Sequence, residues 1–148
     1  MSHSYVSNRI HVVFSTRDRK DLISDEVQPK LWAYIAGIGK NLSAHVFAVG
    51  GTANHTHILL ALPPTLTLAS TVQKIKGSSS KWMNDSREKS FRWQEGYGAF
   101  SISVSNVDAV IRYIDGQSEH HRKHTFEDEF RSLLLRHGIK FDERFVFG

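Results

Sequence analysis

The chain has no cysteine among its 148 residues, which excludes disulfide bonds and thiolate-bound zinc. Any metal it holds must therefore be bound by histidine, carboxylate, amide oxygen or water. Cysteine-free composition suits the reducing cytoplasm, the location expected here. No apolar run approaches the length of a membrane span, and the N-terminus has no apolar signal segment, so no membrane association is expected. Internal repeats and low-complexity tracts are also lacking. Acidic residues are the scarcer charge: 15 Asp and Glu against 19 Lys and Arg leave a formal charge of +4 and a pI near 9.5. That balance favours a polyanionic partner, most simply nucleic acid. An apolar share of 40% with mixed charges describes a globular chain rather than a disordered one. The length suits one domain over residues 1–148.

What is present is organised around Asn54-His55-Thr56-His57-Ile58-Leu59-Leu60-Ala61-Leu62. This run of β-branched and aliphatic residues reads as a strand, closed by Pro63-Pro64, which cannot continue a ladder. Side chains alternate faces along a strand, so His55 and His57 share one side and Ile58, Leu60 and Leu62 the other, the core side. Two imidazoles fixed two residues apart can grip one divalent ion. With nine histidines in the chain, a chance His-x-His is not rare.

Ahead of that strand, Arg9 to Thr16 alternates Ile10, Val12 and Phe14 with His11, Val13 and Ser15 and predicts a first strand. Arg17 to Asp21 is a polar loop in which Arg17 is a candidate phosphate contact. Val27, Leu31, Ile35, Ile38 and Leu42 recur at helical steps, predicting a helix from about Ser24 to Leu42 with Pro29 in its first turn. Ala44 to Gly51 is a second strand, joined through a Gly50-Gly51-Thr52-Ala53 turn to the histidine strand as an antiparallel hairpin. Thr67 caps a second helix reaching about Asn84, whose apolar stripe leaves Lys74, Lys76 and Lys81 on its surface as candidate DNA contacts. Asp85 to Ser90 is a charged loop. In the last strand, Phe100, Ile102 and Val104 alternate with Ala99, Ser101 and Ser103.

The order β-α-β-β-α-β is the ferredoxin-like α+β arrangement, a four-stranded antiparallel sheet with both helices on one face. It spans about residues 9–105. The other face is expected to stay open and to carry His55, His57, Ser101 and Ser103. C-terminal helices fill about residues 106–148. The first opens on Ser105-Asn106-Val107-Asp108, which has the form of a capping box, and places Tyr113, Gln117, His120 and His124 in one stripe. Gly116 weakens it between Tyr113 and Gln117. Thr125 caps a last helix, Phe126 to His137, closed by Gly138, and an apolar tail follows.

Five segments in this order resemble the one-tyrosine HUH transposases of single-strand insertion sequences and their relatives associated with repeated extragenic palindromes. They are His11-Val12-Val13-Phe14-Ser15-Thr16, Asn54-His55-Thr56-His57-Ile58-Leu59, Lys76-Gly77-Ser78-Ser79-Ser80-Lys81-Trp82, Trp93 to Ser101, and Tyr113-Ile114-Asp115-Gly116-Gln117-Ser118-Glu119-His120-His121. The resemblance covers nearly the whole chain. It departs at Thr56, where the family has a bulky hydrophobic residue between the histidines. The resemblance implies that Tyr113 is the nucleophile and that His55, His57 and Gln117 bind a divalent ion, Mg²⁺ or Mn²⁺. It implies a substrate of single-stranded DNA bearing hairpins, cut and rejoined through a 5′-phosphotyrosine. It also implies a homodimer whose active site can be completed in trans. His120 or His121 is a candidate acceptor for the tyrosine proton. Two other readings stand beside this one: a domesticated relative acting on chromosomal palindromic repeats, and a non-catalytic module that binds single strands.

Overall fold

The computed structural model describes residues 3–86 and 90–148, with Ser86 by its backbone alone. Residues 87–89 of the expected 85–90 loop therefore lie outside the described residues, while Asp85 and Ser86 belong to the second helix instead. Four strands, β1 (Arg9–Ser15), β2 (His45–Thr52), β3 (His55–Ala61) and β4 (Gly98–Ile102), form one antiparallel sheet in the order β2-β3-β1-β4. Helices α1 (Gln28–Asn41) and α2 (Leu68–Ser86) connect them, which completes the ferredoxin-like α+β arrangement. One core lies between these helices and the sheet. Ile10, Val12 and Phe14 from β1 and Ile58 and Leu60 from β3 meet Leu31 and Ile35 from α1 and Val72 and Ile75 from α2.

Helix α1 starts four residues later than its apolar spacing suggests. Val27 and Gln28 both donate to the Ser24 carbonyl, forming a turn ahead of Pro29, which has no N–H for a regular ladder. The Thr67 hydroxyl accepts from the Ser70 amide and caps α2 as expected. The β2–β3 turn is tighter than the glycines imply. Gly50 and Gly51 stay within β2, and only Ala53-Asn54 separates the paired Thr52 and His55.

The second face of the sheet is not open, contrary to expectation. Helices α3 (Val107–Asp115), α4 (Gln117–His120) and α5 (Phe126–Arg136) cover it. A second apolar cluster joins Val13 and Phe100 of the sheet to Phe126, Phe130, Leu133 and Leu134 of α5, with Phe141, Val146 and Phe147 of the tail packed against it. The face expected for β4 is inverted as well. His11 lies opposite Phe100, and Ile10 opposite Ser101, so Phe100 stands on the histidine side and Ser101 on the first core side. With both faces covered, each needs apolar residues, and alternation alone does not say which face an apolar residue serves.

The helix carrying Tyr113 is also shorter than the stripe suggests. It ends at Asp115, Gly116 interrupts it, and α4 resumes with Gln117. Its capping box does not form, since α3 has no side-chain cap and the Ser105 hydroxyl pairs with that of Ser103. At α5 the expectation holds. The Thr125 hydroxyl accepts from the Asp128 amide, and Gly138 follows with a left-handed φ of 68°.

Candidate active site

The strand register sets the site. Val13 lies opposite His57 and Ser15 opposite His55, so both histidines project to the face covered by α3, α4 and α5. Thr56, opposite Phe14, points to the other side, as the reading of the His-x-His strand requires. Both histidines are fully buried. Gly50, opposite His57 on β2, leaves room for the tyrosine helix: a Cβ there would stand 2.6 Å from the Ile114 carbonyl oxygen. That close approach brings Tyr113 and Gln117 over the histidines of the same chain.

All four sequence-derived site residues meet, together with one that sequence reasoning missed. Glu129 of α5 is buried, and its carboxylate is the hub. Its Oε1 lies 3.0 Å from His57 Nε2, 3.0 Å from His121 Nε2 and 3.4 Å from His55 Nε2. Its Oε2 accepts from Gln117 Nε2 at 3.0 Å and from the Tyr113 hydroxyl in a short hydrogen bond. Gln117 Oε1 lies 2.8 Å from His55 Nε2. Behind His57, the buried His11 places Nε2 2.8 Å from His57 Nδ1 and fixes that ring. His120 stacks at a tilt beside Tyr113, with ring centroids 5.4 Å apart. Thus His120 and His121 both join the cluster, but the direct partner of the tyrosine proton is Glu129. One signal for it was in the sequence: a glutamate between Phe126 and Phe130 falls on the apolar side of its own helix.

The electrostatics follow from burial around one carboxylate. Burial works against the Glu129 charge, yet the adjoining His121 and His57 imidazoles hold its carboxyl well below the usual carboxylate range. Tyr113 is pushed the other way, by burial first and then by the Glu129 charge, so its phenol keeps its proton. Burial lowers His55 to about 3 and lowers His11 well below the ordinary value, so both rings are neutral at pH 7.

These shifts set an acid response. His55 binds its proton less readily folded than unfolded, so its contribution is whole above pH 6.5 and is lost as pH falls toward 3. The slope is about 1.4 kcal/mol per pH unit for each such histidine. Glu129 adds a loss below about 4.5, where the unfolded carboxylate takes a proton first. Calorimetry in EDTA is expected to give a melting temperature that drops between pH 7.5 and 5.5 and drops faster below 4.5. A flat profile from 7.5 to 5 would contradict buried, neutral histidines.

The candidate DNA contacts divide. Arg17 and Lys74 are exposed, and Lys81 is exposed beside Asp85 at 3.1 Å. Lys76 is committed to the protein instead. Its ammonium donates to the carbonyls of Gln94 at 2.7 Å and Gly96 at 2.6 Å, pinning the loop ahead of β4. Among the described residues, no helix is long and apolar enough to cross a membrane.

The divalent ion implied by the resemblance finds suitable donors. His55, His121 and Glu129 place one ligand atom each within 4.8 Å of one another, all N or O donors, with Gln117 Oε1 and His57 Nε2 adjacent.

The family model described as IS200-like transposase matches residues 4–117, most of the chain and both the His-x-His strand and the Tyr113–Gln117 segment. The chain belongs to the IS200-like transposase family. Among solved structures, this IS200-like chain is similar to a protein described as a transposase from Deinococcus radiodurans R1. The two share 21% identity and a TM-score of 0.63, over 79% of this chain and 96% of that one. It is also similar to a REP-associated tyrosine transposase bound to a REP hairpin, at 17% identity and a TM-score of 0.60, over 82% of this chain and 73% of that one. At these identities the likeness speaks for the fold. No curated protein sequence matches the chain significantly. Residues 118–148, which include His121 and Glu129, lie beyond the matched segment.

Proposed function

We propose that this IS200-like transposase cuts and rejoins single-stranded DNA at hairpin-bearing ends through a covalent link to Tyr113. The observation that carries the reading is the meeting of the Tyr113 hydroxyl, His55, His57 and Gln117 around one buried carboxylate. In this reading Tyr113 Oη passes its proton to the hydrogen-bonded Glu129 carboxylate as it attacks the scissile phosphorus, the bond to the 3′ oxygen breaks, and that oxygen takes a proton and leaves as a 3′-hydroxyl. The product is a 5′-phosphotyrosine, whose bond energy lets a 3′-hydroxyl reverse the attack and join DNA without ATP.

The side chains divide the work. Glu129 accepts the Tyr113 hydrogen bond and orients the phenol. Gln117 links that carboxylate to His55, and His11 sets the orientation of His57. His55, His57 and Gln117 are the ligands in this reading, and a bound Mg²⁺ or Mn²⁺ would polarise the phosphate and offset its growing negative charge. Burial and the Glu129 charge raise the Tyr113 pKa, so in this reading the nucleophile starts out protonated. Exposed Arg17, Lys74 and Lys81 are the candidate backbone contacts. A homodimer is part of the reading, yet Tyr113 reaches the histidines of its own chain, so exchange of α3 between subunits is not needed to complete a site. The second hairpin-directed reading, a relative acting on chromosomal palindromic repeats, uses the same chemistry and differs only in the DNA served.

The test is covalent-adduct formation. Labelled single strands from DNA flanking the gene, each with a hairpin, are incubated with the protein and Mn²⁺ or Mg²⁺. The expected result is an adduct that survives denaturing electrophoresis, is absent in EDTA, and maps by peptide mass spectrometry to Tyr113. Hairpin binding without any adduct would favour the non-catalytic single-strand binder.

A further inference from the structure

Hydrogen-bond accounting at the hub leaves acceptors facing acceptors. His121 Nδ1 lies 2.7 Å from the His124 carbonyl oxygen, which only accepts, so the ring proton sits on Nδ1. The neutral ring then turns the Nε2 lone pair toward Glu129 Oε1, another acceptor, at 3.0 Å. His55 repeats the pattern. Its Nδ1 lies 2.9 Å from both Asn54 Oδ1 and Thr52 Oγ1; the Thr52 hydroxyl spends its proton on Asn54 Oδ1 at 3.1 Å and the amide nitrogen of Asn54 faces the Arg19 carbonyl, so both partners accept and the ring proton sits on Nδ1. Its Nε2 lone pair therefore faces Gln117 Oε1 at 2.8 Å and Glu129 Oε1 at 3.4 Å. The Gln117 amide is oriented by its nitrogen, which donates to Glu129 Oε2.

A second proton on both rings would also relieve these contacts, but the ring centroids of His55 and His121 are only 4.5 Å apart, and two imidazoliums there repel. One cation among the four lone pairs relieves all of them. Ligand atoms about 2.1 Å from a shared ion stand about 3–4 Å apart, and those of His55, His121 and Glu129 lie within 4.8 Å of one another, so a small inward shift closes the set. An ionised carboxylate on the apolar side of α5 is costly to bury without such a charge.

We infer that His121 and Glu129, both beyond the family-matched segment, are ligands of the divalent ion together with His55. The metal centre is then built jointly by strand β3 and the C-terminal helices. Two imidazoles and a carboxylate, with an amide oxygen and a third imidazole adjacent, favour Mn²⁺ over Mg²⁺, which prefers an all-oxygen shell. This rests on the metal-dependent reading of the site, and it is testable without DNA.

The full chain, free of DNA, is titrated with Mn²⁺ while the free-ion electron paramagnetic resonance signal is followed. One tightly bound Mn²⁺ per chain is expected, with Mg²⁺ displacing it only in large excess. Glu129→Gln, which keeps the size of the side chain, should weaken binding by about tenfold or more. His121→Ala should weaken it as well and remove one imidazole from the nitrogen modulation of the bound ion. His121 lies on the more exposed side of the hub, so this variant carries the test if Glu129→Gln does not fold, as checked by circular dichroism. Wild-type affinity and an unchanged nitrogen pattern in both variants, with binding lost in His55→Ala, would overturn the inference and leave the transposase reading intact. No Mn²⁺ binding by the wild-type chain would overturn it too, and adduct formation in EDTA would then separately decide against metal-dependent chemistry.

Discussion

Replacing Tyr113 with Phe is expected to reduce adduct formation and cleavage by about 10⁴-fold or more, to background, while hairpin binding stays within a few-fold of wild type. The substitution removes one oxygen and keeps the ring. Ring contacts with His57 at 5.7 Å, His11 at 6.2 Å and His120 at 5.4 Å persist. Glu129 loses one donor but retains those of His57 and Gln117, so its charge is not stranded and the fold survives. A nucleophile, by contrast, has no substitute. The measurement is a time course of adduct on denaturing gels beside a hairpin-binding isotherm. The chain has three other tyrosines. Tyr34 stacks on Trp82, Tyr97 lies beside Lys76, and Tyr5 is almost wholly exposed, so none is placed to take over. An adduct of undiminished rate in the Phe variant would assign the chemistry to another residue.

The second large effect is expected from Gly50→Val, a residue with no chemistry of its own. A Cβ at this position would meet the Ile114 carbonyl oxygen at 2.6 Å and the Ile114 Cγ2 at 2.9 Å, closer than either can tolerate. Backbone cannot rotate away as a side chain can, so α3 must lift from β2. Overpacking of this kind costs about 1–3 kcal/mol. The functional loss is larger, because Tyr113 precedes Ile114 and Gln117 follows three residues later. Displacing a reacting group by about 1 Å costs about 10²-fold in rate. The variant should therefore melt a few degrees lower yet lose about a hundredfold in adduct rate. Gly77→Ala in α2 is the control, since nothing lies within 4 Å of a Cβ there. Wild-type adduct rates in Gly50→Val would show that this contact does not position the tyrosine.

Much of this arrangement was legible in the sequence for definite reasons. Alternation around His55 and His57 marks β3 because a strand with one face on a core repeats every two residues. The i, i+3, i+4 spacing of Leu31, Ile35 and Ile38 marks α1, and Thr67 and Thr125 mark helix starts through hydroxyls that accept backbone amides. What failed depended on tertiary partners. The apolar stripe of α5 showed that the helix is covered, but not that it covers the histidine face. The open face, the side of β4 bearing Ser101, and the free status of Lys76 were all misjudged for that reason. Glu129 shows the limit most directly. In sequence it is one acid in the run Glu127-Asp128-Glu129, and only packing separates the buried one from its exposed neighbour Asp128.

The complete burial of His55 and His57 has a kinetic consequence. In the metal-dependent reading proposed above, ligands with no solvent-facing surface would not be loaded by collision alone; the covering C-terminal segment would first part from the sheet. Occupancy would then proceed by opening followed by capture, and at high ion concentration the loading rate would level off at the opening rate of the protein. In that reading the same parting would admit a phosphate, making one motion the clock for both arrivals.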